Sequence, residues 1–113
     1  AAIRAKSMAL TDLFIRLVEE RCAGHGFTLA SPREAAARGS QVSFAHVEGY
    51  PIMRALIAAD VIGDFRAPDT VRFGFTPLYV RFVDVWDAVD RLVAIMDGDI
   101  WKQSEYQARE AVT

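Results

Sequence analysis

Residues 66–79 read Arg66-Ala67-Pro68-Asp69-Thr70-Val71-Arg72-Phe73-Gly74-Phe75-Thr76-Pro77-Leu78-Tyr79, and this stretch decides the fold. Apolar side chains alternate with other residues from position 71 to position 75, which is the period of a strand with one buried face. Arg72 and Gly74 therefore share the face that points away from the core. A guanidinium held on a strand suits two-pronged binding of a carboxylate or phosphate, and Gly74 leaves room beside it.

Similar patterns place further elements around this strand. The first half of the chain is predicted to form a helix over 6–23 ended by Gly24 and Gly26, a strand over 27–29, a short helix between 31 and 39, and a strand over 41–46. A helix from 49 onwards is followed by a strand over 61–65, a turn at 67–69, and a strand over 71–75 ended by Thr76-Pro77. The chain then forms a long helix ended near 98 and a short helix within 101–111. The main order α-β-β-α-β-β-α predicts an α+β two-layer sandwich, in which helices cover one face of a small, mostly antiparallel sheet.

Individual side chains receive predictions from the same patterns. In the strand over 41–46 one face carries Val42, Phe44 and His46, and in the next helix one side carries Ile52, Met53, Leu56 and Ile57. The long last helix is marked by Val85, Trp86, Val89, Leu92, Val93 and Met96, and Trp86 is predicted to lie in the core. His46 is interpreted as a hydrogen-bonded residue at a strand end, and Trp101 as docking surface. The acidic residues of the last long helix, Asp84, Asp87 and Asp90, are interpreted as a solvated face.

Composition bounds the function classes. A chain of 113 residues with 52% hydrophobic content fits one domain over 1–113. Its net charge of −2, without a basic stripe, excludes a nucleic-acid footprint, and no apolar run approaches the roughly 18 residues of a membrane span. One cysteine excludes an internal disulfide. The absence of an initiator Met and of an apolar leader predicts a processed chain or an excised fragment, located in the cytoplasm.

Catalytic motifs are absent from the sequence. It contains no Gly-rich phosphate loop, no nucleophile elbow and no paired-histidine metal motif. Cys22, His25 and His46 do not have the spacing of metal ligands, and Cys22 fits a small buried hydrophobe. Neither lysine, Lys6 or Lys102, lies in an apolar context that would lower its pKa for covalent chemistry. We therefore expect no complete active site in this chain.

Two arginines remain as binding candidates. Arg66 and Arg72 flank the predicted turn, so a hairpin would bring both to one edge of the sheet. One interpretation is structural, with ion pairs to Asp64 or Asp69. The other is a site that grips an anionic ligand, and the pattern alone leaves both open.

Four segments carry a resemblance to a known family. They are Arg38-Gly39-Ser40-Gln41-Val42-Ser43-Phe44, Ala58-Ala59-Asp60-Val61-Ile62-Gly63-Asp64-Phe65-Arg66, residues 72–79, and Phe82-Val83-Asp84-Val85-Trp86-Asp87-Ala88. In order and separation they resemble the C-terminal part of the kynureninases. The resemblance runs from Lys6 to about Asp97 and leaves residues 101–113 without a counterpart.

This resemblance implies a fold and an activity. Kynureninases have the aspartate-aminotransferase-like fold, form homodimers, and bind pyridoxal phosphate through a lysine of a larger domain. They hydrolyse the Cβ–Cγ bond of kynurenine or 3-hydroxykynurenine, giving anthranilate or 3-hydroxyanthranilate and alanine in tryptophan catabolism. This chain would be the small domain that closes over the substrate, with residues 1–24 as the helix leading in from the larger domain and 98–113 as a tail.

The resemblance also assigns roles to the two arginines. The residue at the position of Arg72 holds the α-carboxylate of the amino-acid substrate, and Arg66 matches a family arginine expected to support the site. It implies that catalytic and cofactor-binding residues lie outside this fragment, which would be inactive alone, and that no metal is bound.

Three alternatives have different consequences. Another pyridoxal-phosphate enzyme of the same fold, such as a cysteine desulfurase or an aminotransferase, would also close a small domain over a carboxylate. A free-standing amino-acid-binding regulatory module would bind its ligand without a further domain. A structural or dimerisation domain would keep Arg72 in an internal salt bridge. Amino-acid binding by the isolated chain separates the regulatory module from the fragment of an enzyme.

Overall fold

The computed structural model describes residues 2–75, 77 and 79–108. Its helices and strands are α1 (Ala2–Arg21), β1 (Thr28–Leu29), β2 (Gln41–Ala45), α2 (Gly49–Ala58), β3 (Gly63–Arg66), β4 (Thr70–Gly74), α3 (Phe82–Asp97) and α4 (Ser104–Gln107). Single 3₁₀ turns lie at Ala35–Ala37 and Ile100–Lys102. The predicted order of the main elements is confirmed. Thr76 and residues 109–111, on which two predicted element ends fall, lie outside the described residues.

The four strands form one sheet in the order β1-β2-β4-β3, and each neighbouring pair is antiparallel. Central strand β4 is flanked by β2 and β3, so that Arg72 lies directly opposite Ser43 on one side and Asp64 on the other. The predicted α+β class is therefore confirmed for the described part of the chain, with helices on one face of a small antiparallel sheet.

The core lies between this sheet and the helices. The apolar positions of β2 and β4 are buried on the helix side, as their alternation predicts. Phe14 of α1 is the centre of the packing, with its ring centroid 4.7 Å from that of Phe73, 5.0 Å from Phe75 and 6.1 Å from Phe44. The geometry is tilted or edge-on, which aromatic rings prefer over face-to-face stacking. Burial of this face orients the opposite face of the sheet outwards.

Two helix ends follow the sequence. Gly24 and Gly26, just after α1, have positive φ values of +84° and +91°, a conformation that glycine adopts without steric cost. At the start of α3, the backbone N–H of Arg81 donates to Asp84 Oδ2 at 2.8 Å. This capping interaction satisfies a backbone donor and fixes the residue at which α3 begins.

Two predicted burial states are wrong. Trp86 is not in the core: it is 46% exposed, and its ring lies 4.9 Å from the guanidinium carbon of Arg21. It follows buried Val85 by one residue, which turns it about 100° away from the apolar stripe of α3. Ile57 is 51% exposed for the same reason at the end of α2. Trp101 is partly buried against the core, and its interpretation as docking or interface surface stays a prediction.

The predicted helix of one or two turns between 31 and 39 is a single 3₁₀ turn at Ala35–Ala37. Ser31, which precedes this turn, accepts a hydrogen bond at Oγ from the backbone N–H of Ser43 at 2.7 Å. The hydroxyl therefore ties this loop to β2. No helix within the described part of the chain has the length and apolar character needed to cross a bilayer.

Candidate functional site

The open face of the sheet carries the arginine singled out by the sequence. Arg72 lies on β4 between two buried residues, so its side chain projects on the face opposite the helices. On the neighbouring strand, Asp64 and Arg66 occupy the same face, and Ser43 borders Arg72 from β2. β3 and β4 form the predicted hairpin and place both arginines on one face of the sheet, but only Arg66 lies on an edge strand, because β4 is flanked on both sides. A role of either arginine in binding stays a prediction.

Arg72 and Asp64 form a two-pronged ion pair. Arg72 Nε donates to Asp64 Oδ1 and Nη2 donates to Oδ2, both at 2.6 Å. The side chain of Arg72 is 24% exposed and that of Asp64 is 56% exposed. Hydrogen bonds from Arg72 hold the pKa of the Asp64 carboxyl below its usual value, and the positive charges of Arg72 and Arg66 add to this effect. Both groups are therefore charged at neutral pH.

Asp64, and not Asp69, is thus the acidic partner that the sequence left open. Asp69 lies in the turn between β3 and β4, where its carboxylate accepts a hydrogen bond from the Thr70 hydroxyl at 3.3 Å. Its backbone carbonyl accepts from the N–H of His46 at 2.9 Å. The structural interpretation of Arg72 is correct in that the ion pair forms. The pair engages only the Nε and Nη2 atoms of the guanidinium.

The guanidinium of Arg72 keeps a second binding edge. The ion pair occupies its Nε–Nη2 side, and none of the described residues hydrogen-bonds to Nη1. A guanidinium has five N–H donors, so Nη1 and the second N–H of Nη2 form a free fork at the end of the side chain. That fork has the geometry needed to bind one further carboxylate with two hydrogen bonds.

Gly74 provides space next to this fork. It lies two residues after Arg72 on the same face, and a Cβ built there would meet nothing within 4 Å. Gly74 also lines a groove of about 540 Å³ between the sheet edge and α3, whose apolar walls include Ile62, Tyr79 and Phe75. Ile62 and Tyr79 are 88% and 81% exposed, which is unusual for large apolar side chains. Gly74 therefore belongs both to the open face of the sheet and to the lining of the groove.

Reactive groups are not found beside Arg72 in the described part of the chain. Lys102 pairs with Asp99 at 3.5 Å, and Lys6 belongs to α1, on the other side of the core. Cys22 is buried, and burial raises the pKa of its thiol to about 11. No cluster of three or more metal-ligating side chains occurs among the described residues. Arg72 has the geometry of an anion-binding residue, and none of the described residues beside it is an activated nucleophile.

His46 has the structural role that the sequence predicts. Its Nδ1 accepts a hydrogen bond from the backbone N–H of Glu48 at 2.9 Å, so its Nε2 carries the proton that is donated to the carbonyl of His25 at 2.7 Å. Both ring nitrogens are therefore engaged, and the side chain fixes the end of β2.

Arg38, which opens the first segment of the family resemblance, has a structural role that no sequence pattern predicted. Its side chain is only 2% exposed and pairs with Asp12 of α1. It also donates to Thr11 Oγ1 at 3.0 Å and to the carbonyls of Pro32 and Arg33 at 3.2 and 2.8 Å. These bonds fasten the loop before β2 to α1. An arginine in an alanine-rich turn gives no local signal of this, because the partners are remote in sequence.

Comparison with known proteins adds a family. A sequence profile of the kynureninase C-terminal domain matches residues 3–92. Kynureninase from Pseudomonas fluorescens is 58% identical over 113 residues, covering 100% of this chain and 27% of that protein. Kynureninases from Burkholderia mallei (strain SAVP1) and Burkholderia pseudomallei (strain 1106a) are 59% identical over 112 residues, covering 99% of this chain and 27% of each protein.

Two facts follow from these alignments. The chain spans 27% of the length of the relatives that it matches. The alignment with the Pseudomonas fluorescens protein includes residues 101–113, so the expectation that this tail has no counterpart in the family is wrong.

Proposed function

Because this chain belongs to the kynureninase C-terminal domain family, we propose that it is the small domain of a kynureninase and binds the α-carboxylate of the substrate through Arg72. The observation that supports this role most directly is the geometry of Arg72. Its guanidinium is fixed by Asp64 on a rigid strand, its terminal fork is free of described partners, and Gly74 leaves space in front of the sheet.

The proposed activity of the whole protein is hydrolysis of the Cβ–Cγ bond of kynurenine or its 3-hydroxy form. Pyridoxal phosphate would be required, but the described residues do not fit it, since neither lysine lies on the open face of the sheet. We therefore assign cofactor binding and bond cleavage to the part of the protein outside this chain. The family assignment further suggests a cytoplasmic homodimer, into whose small domain α1 leads from the larger domain.

The contribution of Arg72 would be orientation. Two parallel N–H donors fix a carboxylate in plane as well as in position, which a single charge cannot do. An amino acid held at this end has its α-carbon and side chain directed consistently towards groups supplied by the rest of the protein. Holding reactants in one geometry lowers the barrier of the reaction itself, so loss of Arg72 affects kcat as well as KM.

Arg66 is proposed to support this site without touching the substrate. It lies on the same face as Asp64, two residues further along β3, and its positive charge contributes to the low pKa of the Asp64 carboxyl. Arg66 and Arg72 carry two positive charges and Asp64 carries one negative charge, so these three residues leave one positive charge unbalanced on the open face. This local balance favours an anionic ligand although the chain as a whole carries a net charge of −2.

The test uses the full-length protein and kynurenine. Loss of a hydrogen-bonded contact to a charged group weakens transition-state binding by about 10- to 160-fold, so Arg72→Ala is expected to lower kcat/KM by that factor. Arg72→Lys is expected to recover little, because a point charge does not reproduce the fork. Arg66→Ala is expected to have a smaller effect.

Arg33→Ala is the matched control. Arg33 also makes a two-pronged ion pair, with Nη1 and Nη2 at 3.0 and 2.6 Å from the Glu19 carboxylate, but it joins a loop to α1 away from the sheet face. Its kinetics should equal those of the wild type. Unchanged kcat/KM in Arg72→Ala would refute the carboxylate role, and turnover of cysteine but not kynurenine by the wild type would refute the proposed activity.

A further inference from the structure

We propose that Asp64 is a positioning residue for substrate binding: it holds one edge of the Arg72 guanidinium so that the other edge is presented as a ready-made fork for the α-carboxylate. This inference rests on the proposed function and adds a second residue to it. It gives the ion pair a purpose that neither the structural nor the binding interpretation of Arg72 supplies by itself.

The ion pair with Asp64 divides the five N–H donors of Arg72 into two groups. Asp64 takes one N–H from Nε and one from Nη2, both at 2.6 Å, and each of its oxygens is used once. The remaining donors are the two N–H groups of Nη1 and the outward N–H of Nη2. Two of these are parallel and form the terminal fork. Asp64 therefore occupies the Nε–Nη2 side of the guanidinium and leaves the Nη1–Nη2 end available.

The pair with Asp64 also restricts the side chain of Arg72 before any ligand binds. Arg72 and Asp64 face each other across paired strands, so their backbones are linked by the ladder between β3 and β4. An arginine has several rotatable bonds, and an unrestrained side chain loses that freedom when it binds. With Asp64 in place, this ordering occurs during folding and not during substrate binding. Preorganisation of this kind raises affinity without a new contact to the ligand.

The negative charge of Asp64 decides in which direction KM should change when Asp64 is neutralised. Asp64 is an anion close to the place where a second carboxylate would bind, so its Coulomb interaction with the substrate is repulsive. If Asp64 only competed for Arg72, its neutralisation would strengthen substrate binding. If Asp64 positions the fork, its neutralisation weakens binding, because the orientation of Arg72 is lost. The two roles thus predict opposite changes in KM.

The experiment measures kcat and KM for kynurenine with the full-length protein carrying Asp64→Asn. This variant keeps the shape of the side chain but can accept from only one of the two donors, since its amide nitrogen opposes the other. We expect KM to rise about 2- to 13-fold, the effect on binding of ordering one flexible side chain, with a smaller change in kcat. Asp64→Glu keeps the charge and should restore most of the affinity.

A ligand without the carboxylate separates positioning from general damage. The α-carboxamide of kynurenine serves as a competitive inhibitor, and its inhibition constant should rise less in Asp64→Asn than KM for kynurenine does, because an amide accepts from only one donor of the fork. The matched control is Glu19→Gln, which alters the other two-pronged pair, with Arg33, and should leave KM unchanged. If Asp64→Asn does not yield folded protein, Asp64→Ser provides the same comparison.

The outcomes divide cleanly. A lower or unchanged KM in Asp64→Asn overturns the inference, as does an equal loss of affinity for the carboxamide. The proposed function fails separately, through unchanged kinetics in Arg72→Ala. A strong effect of Arg72→Ala together with no effect of Asp64→Asn would therefore refute the positioning role of Asp64 and keep the carboxylate role of Arg72.

Discussion

Two glycines on neighbouring strands give opposite predictions when each is replaced by alanine. Gly74 of β4 lies on the open face, where a Cβ would meet nothing within 4 Å. Gly63 of β3 lies on the core face, where a Cβ would come within 2.6 Å of the Arg72 carbonyl oxygen and 3.0 Å of Met53 Cε. The 2.6 Å distance between this Cβ and the Arg72 carbonyl oxygen is shorter than the contacts that real Cβ atoms make. Because that oxygen belongs to the backbone, β3 would have to move relative to β4.

The magnitudes follow from this geometry. Gly63→Ala overpacks a partly buried position and is expected to lower the free energy of unfolding by about 1–3 kcal/mol. Gly74→Ala adds no clash and restricts the unfolded chain, which raises the free energy of unfolding by about 0.4–1 kcal/mol. In the proposed site, however, the new methyl group would take up open space on the face that carries Arg72, and we expect it to displace the bound carboxylate. A displacement of about 1 Å can lower kcat/KM by up to about 100-fold.

The assay therefore has two readouts. Urea denaturation followed by circular dichroism gives the free energy of unfolding of the 113-residue chain, and steady-state kinetics of the full-length protein gives kcat/KM. We expect Gly74→Ala to be at least as stable as wild type but less active, and Gly63→Ala to be both less stable and less active. Equal destabilisation by both changes would refute the packing argument. Wild-type activity in Gly74→Ala would place the carboxylate away from this glycine.

Two further predictions concern titratable groups. Because the folded pKa of Asp64 lies below its usual 3.8, the stability contributed by its pair with Arg72 is present above that value and is lost as pH falls through the lowered pKa. The urea midpoints of wild type and Asp64→Asn should therefore differ at neutral pH and converge in strong acid, and a difference that persists in acid would contradict the pairing. Burial raises the pKa of Cys22 to about 11, so a disulfide reagent at mildly alkaline pH should label the folded chain slowly and the urea-unfolded chain quickly. Equal rates would show that the thiol is accessible.

Local patterns explain what the sequence could predict. The alternation around Arg72 is a property of five consecutive residues, and it correctly predicts both the strand and the face on which Arg72 lies. The helix ends at Gly24 and Gly26 are equally local, because their positive φ values suit glycine. The fold class follows from the order of such elements, since few two-layer arrangements accommodate it.

Features that depend on contacts between distant residues were not predictable in the same way. The partner of Arg72 is set by the register of β3 against β4, and the sequence offered Asp64 and Asp69 equally. Trp86 was assigned to the core by its size and spacing, although its ring covers Arg21 on the exposed side of α3. In both cases the deciding contact joins different elements, and a one-dimensional pattern does not contain it.

The energetics of the Arg72–Asp64 pair favour a functional interpretation over a stabilising one. Exposed ion pairs contribute little to stability, since charges in water interact weakly and long side chains lose freedom when they are fixed. Stability alone therefore gives little reason to hold a guanidinium by two 2.6 Å hydrogen bonds on the open face of a sheet. What the pair does achieve is a fixed direction for the free end of Arg72. A fixed, half-used guanidinium next to an open glycine is suited to a ligand that arrives with its own carboxylate, and the sign of the KM change in Asp64→Asn tests whether that is its use.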